Sequence, residues 1–182
     1  ASQGSSNPLH YIMEFALNGE RVVVDPVEAA KMTLNEYLRF KTKFKGTKLS
    51  CAQGGCGACT VAIAYKDEDG KVKTKTVPSC LMALPSAAGT SITTVEGLKM
   101  AATSERVGGH PVQERMVQYY GTQCGFCTPG MVMQMWGGLK QHNAEGGRNV
   151  TEKQIEDMDL MAGNLCRCTG YRPINDCLKS FA

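Results

Sequence analysis

The sequence lacks the long apolar runs that mark a membrane-spanning or exported chain. No stretch of its 182 residues approaches the roughly 20 consecutive apolar residues that a transmembrane helix requires. The opening residues, Ala-Ser-Gln-Gly-Ser-Ser-Asn-Pro, contain neither a basic start nor an apolar segment, so no signal peptide is expected. We therefore expect residues 1–10 to be a flexible lead-in and the protein to be cytoplasmic.

Histidine, the residue that enzymes most often use as a general acid or base, is scarce. Only three histidines occur, His10, His110 and His142, and no cluster of acidic residues accompanies them. Neither a P-loop nor a Gly-x-Gly-x-x-Gly fingerprint is present, which excludes the two commonest nucleotide-binding loops. No catalytic residue is predicted, and we expect no substrate chemistry on this chain alone.

A strong charge of one sign is absent as well. Lys and Arg total 20 and Asp and Glu total 17, so the net charge is only +3. The densest basic stretch, residues 41–48, is expected to be a solvated face beside a loop. Hydrophobic residues make up 42% and charged residues 20% of the chain, which excludes general disorder. No nucleic-acid partner is expected.

Cysteine is the residue that the chain has in excess. An odd number, nine, without an export signal argues against a disulfide framework and leaves metal ligands or redox thiols. Two sets of four are separated by a long interval, and one cysteine, expected to be a buried apolar thiol, is left over. The first set is Cys51, Cys56, Cys59 and Cys80; the second is Cys124, Cys127, Cys166 and Cys168; the remaining one is Cys177.

The first set has the spacing of a plant-type [2Fe–2S] site. The cysteines between 51 and 59 follow C-x4-C-x2-C, and Cys80 comes after twenty more residues. Gly54, Gly55 and Gly57 stand among these thiols, where only glycine lets backbone N–H groups approach a sulfur-rich cluster without a Cβ clash. The alternatives are a zinc knuckle, which does not need such a lining, and a merely Gly-rich turn.

The second set combines a C-x2-C pair with a C-x-C pair. Zinc sites use similar pairs, so the spacing alone leaves a structural zinc ion open. Each pair precedes a predicted helix, one that starts near Pro129 or Gly130 and one that starts at Pro173. Two helix N-termini would then direct their positive ends toward one anionic site, which favours a thiolate-ligated cluster.

The first half of the chain is predicted to be mainly strand. Asn18-Gly19 and Asp69-Gly70 separate β-rich runs and are typical of tight hairpin turns. Apolar spacing of three and four residues predicts a helix over residues 33–44. A small mixed sheet with one helix across it is a β-grasp plan. The predicted strands are residues 11–17, 20–25, 60–65, 72–77 and 91–95.

The second half is predicted to form a small four-helix bundle. Pro111 and Pro173 occupy first-turn positions, and His110 is expected to cap the first of these helices. Thr151 and Gln154 form a capping-box pattern at the start of another. The predicted helices are residues 111–120, 131–142, 151–163 and 173–182.

These halves predict an α+β chain with two domains. A β-grasp, plant-type ferredoxin-like domain is expected over residues 11–97, and a helical [2Fe–2S]-binding domain over residues 98–182. The boundary is placed within residues 90–109, where glycines predict turns.

Four strings of the sequence resemble those of the molybdenum hydroxylases. They are CAQGGCGACTV, HPVQER, QCGFCTPGM and GNLCRCTGYRPI, and they occur in that family's order. The resemblance is to the iron–sulfur module of xanthine dehydrogenases and aldehyde oxidases, with a leaning toward the eukaryotic-type enzymes, and it covers roughly residues 11–182.

The resemblance implies two [2Fe–2S] clusters with different neighbours. The first cysteine set matches the ferredoxin-like cluster, which in the family lies toward the flavin. The second set matches the helical-domain cluster, which lies beside the molybdopterin. Gln123 matches the position that hydrogen-bonds the pterin, and the position of Cys168 also approaches it. An amide suits that contact because it offers an acceptor and donors on one planar group.

It also implies a function and a set of partners. In the family, a molybdenum centre hydroxylates a purine or an aldehyde with water as the oxygen source. The electrons pass singly through the two clusters to FAD. An FAD-binding and a molybdopterin-binding domain or subunit are therefore expected, in an assembly that is itself a dimer. The alternatives are a two-zinc structural or nucleic-acid-binding protein and a free-standing ferredoxin-like carrier.

The chain departs from the family's pattern in the first loop. Relatives commonly have C-G-E-G-G-C-G, whereas this sequence has Ala52 and Gln53 after the first cysteine. Loss of a carboxylate beside an anionic cluster is expected to make reduction of that cluster slightly easier.

Overall fold

The computed structural model describes residues 12–100, 109–144, 150–157 and 162–182. The predicted lead-in at 1–10 lies outside these residues. The described part contains a five-stranded mixed sheet in the order β2-β1-β5-β3-β4. β1 and β5 are parallel, and the other neighbouring strands are antiparallel. The strands are β1 (Met13–Leu17), β2 (Glu20–Val24), β3 (Thr60–Lys66), β4 (Val72–Pro78) and β5 (Ser91–Thr93).

Each predicted strand is present, with small differences at the ends. The hairpin between β1 and β2 turns at Asn18 and Gly19, whose φ values of +52° and +86° are those that a type I′ turn requires. Gly70, with a φ of +77°, lies in the turn between β3 and β4. Both predicted turns are confirmed. They were predictable because the conformation of a tight turn depends on local sequence.

In the described residues, the first half contains α1 (Pro26–Ala29), α2 (Leu34–Lys41) and a short 3-10 helix at Leu84–Ala87. A further helix, α3 (Val95–Met100), spans the predicted domain boundary. The prediction missed α1 and α3, although Asp25 before a proline is a strong start signal, and its carboxylate accepts the N–H groups of the second and third helical residues. The helix predicted over 33–44 ends at Lys41, because Thr42 is extended and donates its hydroxyl proton to the carbonyl of Leu38.

Helices cover both faces of the sheet. On one face α2 buries Leu34 and Leu38 against the inward side chains of β1, β3 and β5. On the other face lies α5 (Thr128–Ala144), which packs on β3 and β4 and shares a second core with Ala62 of β3. The cysteine loops lie at the starts of β3 and α5, which pack against each other. Cys59 directly precedes β3, and Cys127 directly precedes α5.

Within the described residues, the second half contains four helices at the predicted places. Besides α5 they are α4 (Pro111–Gln118), α6 (Glu152–Asp157) and α7 (Arg172–Lys179). The imidazole of His110 accepts the N–H of Val112, which confirms the predicted cap. The described part of the third helix ends at Asp157, residues 158–161 lie outside the described residues, and Gly163, where the predicted helix ends, lies in a turn with a φ of +74°. The fold is therefore α+β, a ferredoxin-like sheet domain followed by a helical part.

No helix in the described ranges is both long and apolar enough to cross a membrane.

Candidate metal centres

Two thiols of the first site are brought together by the β3–β4 ladder. Cys59 stands immediately before β3 and Cys80 shortly after β4, so the antiparallel pairing of these strands sets the two cysteines side by side. The N–H of Ser79 donates to the carbonyl of Cys59 at 3.3 Å and extends this pairing. The two Sγ atoms are 3.2 Å apart, and both residues are buried.

The other two thiols lie on the loop between α2 and β3. Cys51 and Cys56 are joined by a hydrogen bond between their side chains. The N–H groups of Gln53, Cys56 and Gly55 also donate to the sulfur of Cys51, that of Gln53 at 3.4 Å. These hydrogen bonds lower the pKa of Cys51 to about 7, the amide of Gln53 contributing most. The expectation that the loop turns its amides toward sulfur is thus confirmed.

Left-handed backbone conformations make this loop possible. Ala52, Gly54 and Gly57 have φ values of +55°, +74° and +70°. Such conformations cost little for glycine, whereas a residue with a Cβ is strained. Ala52 has a Cβ, so this chain carries a strained residue directly after a predicted ligand.

Burial favours the protonated form of the Cys59 thiol. Burial is the largest cause that raises the pKa of Cys59 to about 11, and the neighbouring Cys80 and Cys56 contribute further. Thiols bind metal as thiolates, so a bound cation must supply the charge that makes Cys59 ionise. A donor set of four sulfurs, lined by amides and shielded on one side, suits an iron–sulfur cluster.

The second site has the same arrangement of two thiol pairs. Cys127, directly before α5, is hydrogen-bonded through its side chain to Cys166. Cys124, three residues earlier, is hydrogen-bonded in the same way to Cys168. The structure therefore brings together the four cysteines of the predicted second set, from segments about forty residues apart in the chain.

Burial and Thr169 determine the pKa values of the inner thiol pair of the second site, Cys127 and Cys166. Burial raises the pKa of Cys127 to about 12, with a smaller contribution from Cys166. For Cys166 burial acts in the same direction, but the hydroxyl and the N–H of Thr169 outweigh it and lower the pKa. The Thr169 hydroxyl lies 3.0 Å from the sulfur of Cys166.

The outer pair of the second site faces solvent. Cys124 and Cys168 are exposed, while Cys127 is half-buried and Cys166 is buried. The N–H of Phe126 is the main cause that lowers the pKa of Cys124, and the hydrogen bond from the Cys168 thiol adds to it. Gln123 is exposed next to Cys124. The two residues that the resemblance associates with the pterin thus lie on the open side of this site.

The two sites are directly connected. The N–H of Leu165, the residue before Cys166, donates to the carbonyl of Cys56 at 3.0 Å. One hydrogen bond therefore links Cys56 of the first site to Leu165, the neighbour of Cys166 in the second site. The two sites are therefore adjacent rather than on separate surfaces.

The thiol pairs suit a two-iron cluster at each site. A [2Fe–2S] cluster has four cysteine ligands for two irons, so each iron takes a pair. The pairs that the structure forms are Cys51 with Cys56, Cys59 with Cys80, Cys124 with Cys168, and Cys127 with Cys166. Cys177 belongs to none of these pairs and is fully buried in the helical core, as predicted.

Sequence reasoning missed two polar residues that support the first site. Asn35 and Ser79 are wholly buried, and the hydroxyl of Ser79 donates to the carbonyl of Cys59 at 2.7 Å. The available signal was a polar residue on the apolar face of α2, since Asn35 lies between Leu34 and Leu38 at helical spacing.

Comparisons with known proteins agree with these sites. The family described as "2Fe-2S iron-sulfur cluster binding domain" matches residues 15–84. The family described as "[2Fe-2S] binding domain" matches residues 94–179. Each matched range contains one of the two cysteine sets, so the chain has two cluster-binding parts.

Curated relatives are much longer than this chain. It is 45% identical over 171 residues to the abscisic-aldehyde oxidase of Arabidopsis thaliana, covering 93% of this chain and 12% of that protein. It is 43% identical over 177 residues to the xanthine dehydrogenase of Calliphora vicina, covering 96% of this chain and 12% of that one. The chain thus spans about an eighth of the length of these relatives.

Solved structures show the same fold. A chain of the quinoline 2-oxidoreductase from Pseudomonas putida 86 superposes with a TM-score of 0.69 at 34% identity, covering 92% of this chain and 90% of that one. The aldehyde oxidoreductase from Desulfovibrio gigas gives a TM-score of 0.68 at 32% identity, covering 92% of this chain and 16% of that one.

Proposed function

The chain belongs to the molybdenum hydroxylase family as its two-cluster iron–sulfur part, and we propose that it carries electrons singly from a molybdopterin centre to FAD. A [2Fe–2S] cluster accepts and releases one electron at a time. The residues of this chain hold two such groups, keep one side of each shielded from water, and join them. The hydrogen bond from Leu165 to the carbonyl of Cys56 is the observation that carries the proposal.

We propose the eight paired cysteines as the ligands, four to each cluster. The buried pairs anchor each cluster to the fold, and low-polarity surroundings protect the sulfurs from solvent. The amides around Cys51 and the Thr169 hydroxyl next to Cys166 stabilise negative charge on the thiolates. Cys177 has no part in ligation.

The exposed ends of the two sites support the direction of transfer. On the second site, Gln123 is proposed to hydrogen-bond the pterin, with Cys168 beside it on the same open side. On the first site, the loop that carries Cys51 and Cys56 is the more accessible part and is proposed to face the flavin. Electrons would enter at one exposed end and leave at the other.

The rest of the assembly is proposed from the family. The chain would act with an FAD-binding and a molybdopterin-binding domain or subunit, in a cytoplasmic complex that forms a dimer. That complex would hydroxylate a purine or an aldehyde with water as the oxygen source. We further propose residues 11–97 and 98–182 as the two domains of this chain.

Isolation of the native protein with its metals tests the function. We expect molybdenum, FAD and two [2Fe–2S] clusters per chain, with two distinct paramagnetic centres in low-temperature EPR after reduction. A colourless protein that contains zinc would overturn the proposal. Iron–sulfur protein purified without flavin or molybdenum would indicate a free-standing carrier and would overturn the proposed partners.

A further inference from the structure

The first-site loop lies between the two chain segments that carry Cys127 and Cys166 of the second site. Gly57 follows Cys56 and is buried. On one side of it lies Gly130, in the first turn of α5, which begins directly after Cys127. On its other side lies Asn164, two residues before Cys166.

The contact between Gly130 and Gly57 has no space for a side chain. A Cβ on Gly130 would lie 2.1 Å from the carbonyl oxygen of Gly57 and 3.2 Å from the Cα of Ala58. Both are backbone atoms, which cannot turn aside as the end of a side chain can. The start of α5 and the first-site loop would have to separate by about 1 Å to restore an ordinary contact.

The opposite side of Gly57 is equally close. A Cβ on Gly57 would lie 2.3 Å from Oδ1 of Asn164 and 2.5 Å from the carbonyl oxygen of Gly163. The same segment donates the Leu165 N–H to Cys56. The backbone of the first-site loop is therefore held from two directions, by the segment of Cys127 and by that of Cys166.

We propose that Gly130 is a positioning residue for electron transfer, because its missing side chain sets the spacing between the two cluster sites. The carbonyl of Cys127 accepts the N–H of Met131, so Cys127 is fixed to the first turn of α5 and moves with it. A side chain at residue 130 pushes that turn, and Cys127 with it, away from the first site. The inference rests on the proposed function.

Gly130→Ala is the test, with Gly137→Ala as its matched control. Both glycines lie in α5, where alanine favours the helix. A Cβ on Gly137 would meet only side-chain atoms of Thr76, the methyl carbon at 2.3 Å and Cβ at 3.7 Å, and rotation about χ1 moves that methyl group. Gly137 lies two turns further along the helix, away from the cysteines. The two variants thus differ in whether the added methyl group meets backbone next to a cluster site.

The readout is the magnetic interaction between the two reduced clusters in the isolated holoprotein. Dipolar splitting of EPR lines falls with the inverse cube of the distance between two spins. We expect Gly130→Ala to keep its iron and sulfide content and the g-values of each singly reduced cluster, with a smaller splitting when both are reduced. Electron exchange between the clusters should slow in parallel, and Gly137→Ala should match wild type in both measurements.

Several outcomes would overturn the proposal. One is a Gly130→Ala protein with both clusters and unchanged splitting; another is the same loss of splitting in Gly137→Ala. If Gly130→Ala loses a cluster that the wild-type protein binds, the proposal is also overturned, because a residue that only sets the spacing between the two sites leaves both clusters in place. None of these outcomes resembles failure of the proposed function, in which two clusters are not found at all.

Discussion

The side-chain amide of Asn35 donates to the hydroxyl of Ser79 at 3.0 Å, and both residues are completely buried. The same amide group donates to the carbonyl of Lys48 at 3.2 Å. The Ser79 hydroxyl in turn donates to the carbonyl of Cys59. Asn35, a helix residue, thus holds both the segment that leads into the cysteine loop and the residue directly before Cys80.

Asn35→Ala should disturb the first cluster and leave the second unchanged. Loss of the amide leaves the half-buried Lys48 carbonyl and the buried Ser79 hydroxyl with one partner fewer, at a cost of about 1–3 kcal/mol. We expect a changed EPR line shape for the first cluster and faster loss of that cluster to a chelator.

The control for this variant is Thr33→Ala. Thr33 caps the same helix through Glu36, and the hydrogen bonds that its side chain makes run to Glu36 within the first turn. Its loss should cost about 1 kcal/mol of helix stability without altering either EPR signal. Equal spectral changes in both variants would mean that Asn35 acts only by stabilising α2.

Gln53→Glu should lower the reduction potential of the first cluster. Gln53 donates its N–H to Cys51, so an added carboxylate would lie close to the sulfur but in solvent. One charge that acts through solvent over several ångströms is worth on the order of a few tens of millivolts. Potentiometric titration followed by EPR measures both clusters at once. An unchanged or higher potential of the first cluster contradicts this prediction.

Tyr120→Gly should be more stable than Tyr120→Ala. Tyr120 follows α4 with a φ of +57°, and the N–H of Gly121 bonds to the carbonyl of Met116, as in a Schellman motif. Glycine suits this position, whereas any residue with a Cβ is strained by about 1 kcal/mol. Both variants lose the ring, which is 82% exposed. Comparison of their melting temperatures therefore isolates the cost of the left-handed backbone conformation for a residue with a Cβ. Equal values would show that the position is unstrained.

Cys177→Ala should change the pH dependence of stability and leave both clusters in place. Burial is the main cause that raises the pKa of Cys177 from 9.0 to about 11, and Arg115 acts against it. The folded chain therefore keeps this proton to higher pH than the unfolded chain. The resulting contribution to the unfolding free energy is fully present below pH 9 and is lost as pH rises through about 11.

The measurement is the melting temperature of wild type and Cys177→Ala at a series of pH values. Lys and Tyr titrations are common to both proteins and cancel in the difference. The wild-type melting temperature should fall relative to that of the variant between pH 9 and 11. A constant difference, or a variant with fewer than two clusters, contradicts the assignment of Cys177 as a buried spectator thiol.

The sequence by itself determined the features that depend on short stretches of chain. The turns at Asn18-Gly19 and Asp69-Gly70, the cap at His110 and the grouping of cysteines 51, 56 and 59 arise within a few residues, so propensity and spacing suffice to predict them. The existence of two cysteine sets was predictable for the same reason, because each pair of closely spaced cysteines marks one loop.

Only the tertiary structure decided which thiols pair, which pair is buried and how the two sites touch. Cys59 meets Cys80 because β3 and β4 pair, and Cys127 meets Cys166 because α5 and the segment before α7 pack together. Asn35 reaches Ser79, and Gly130 reaches Gly57, across comparable sequence separations. Such contacts arise from the packing of whole elements, which no local pattern of residues specifies.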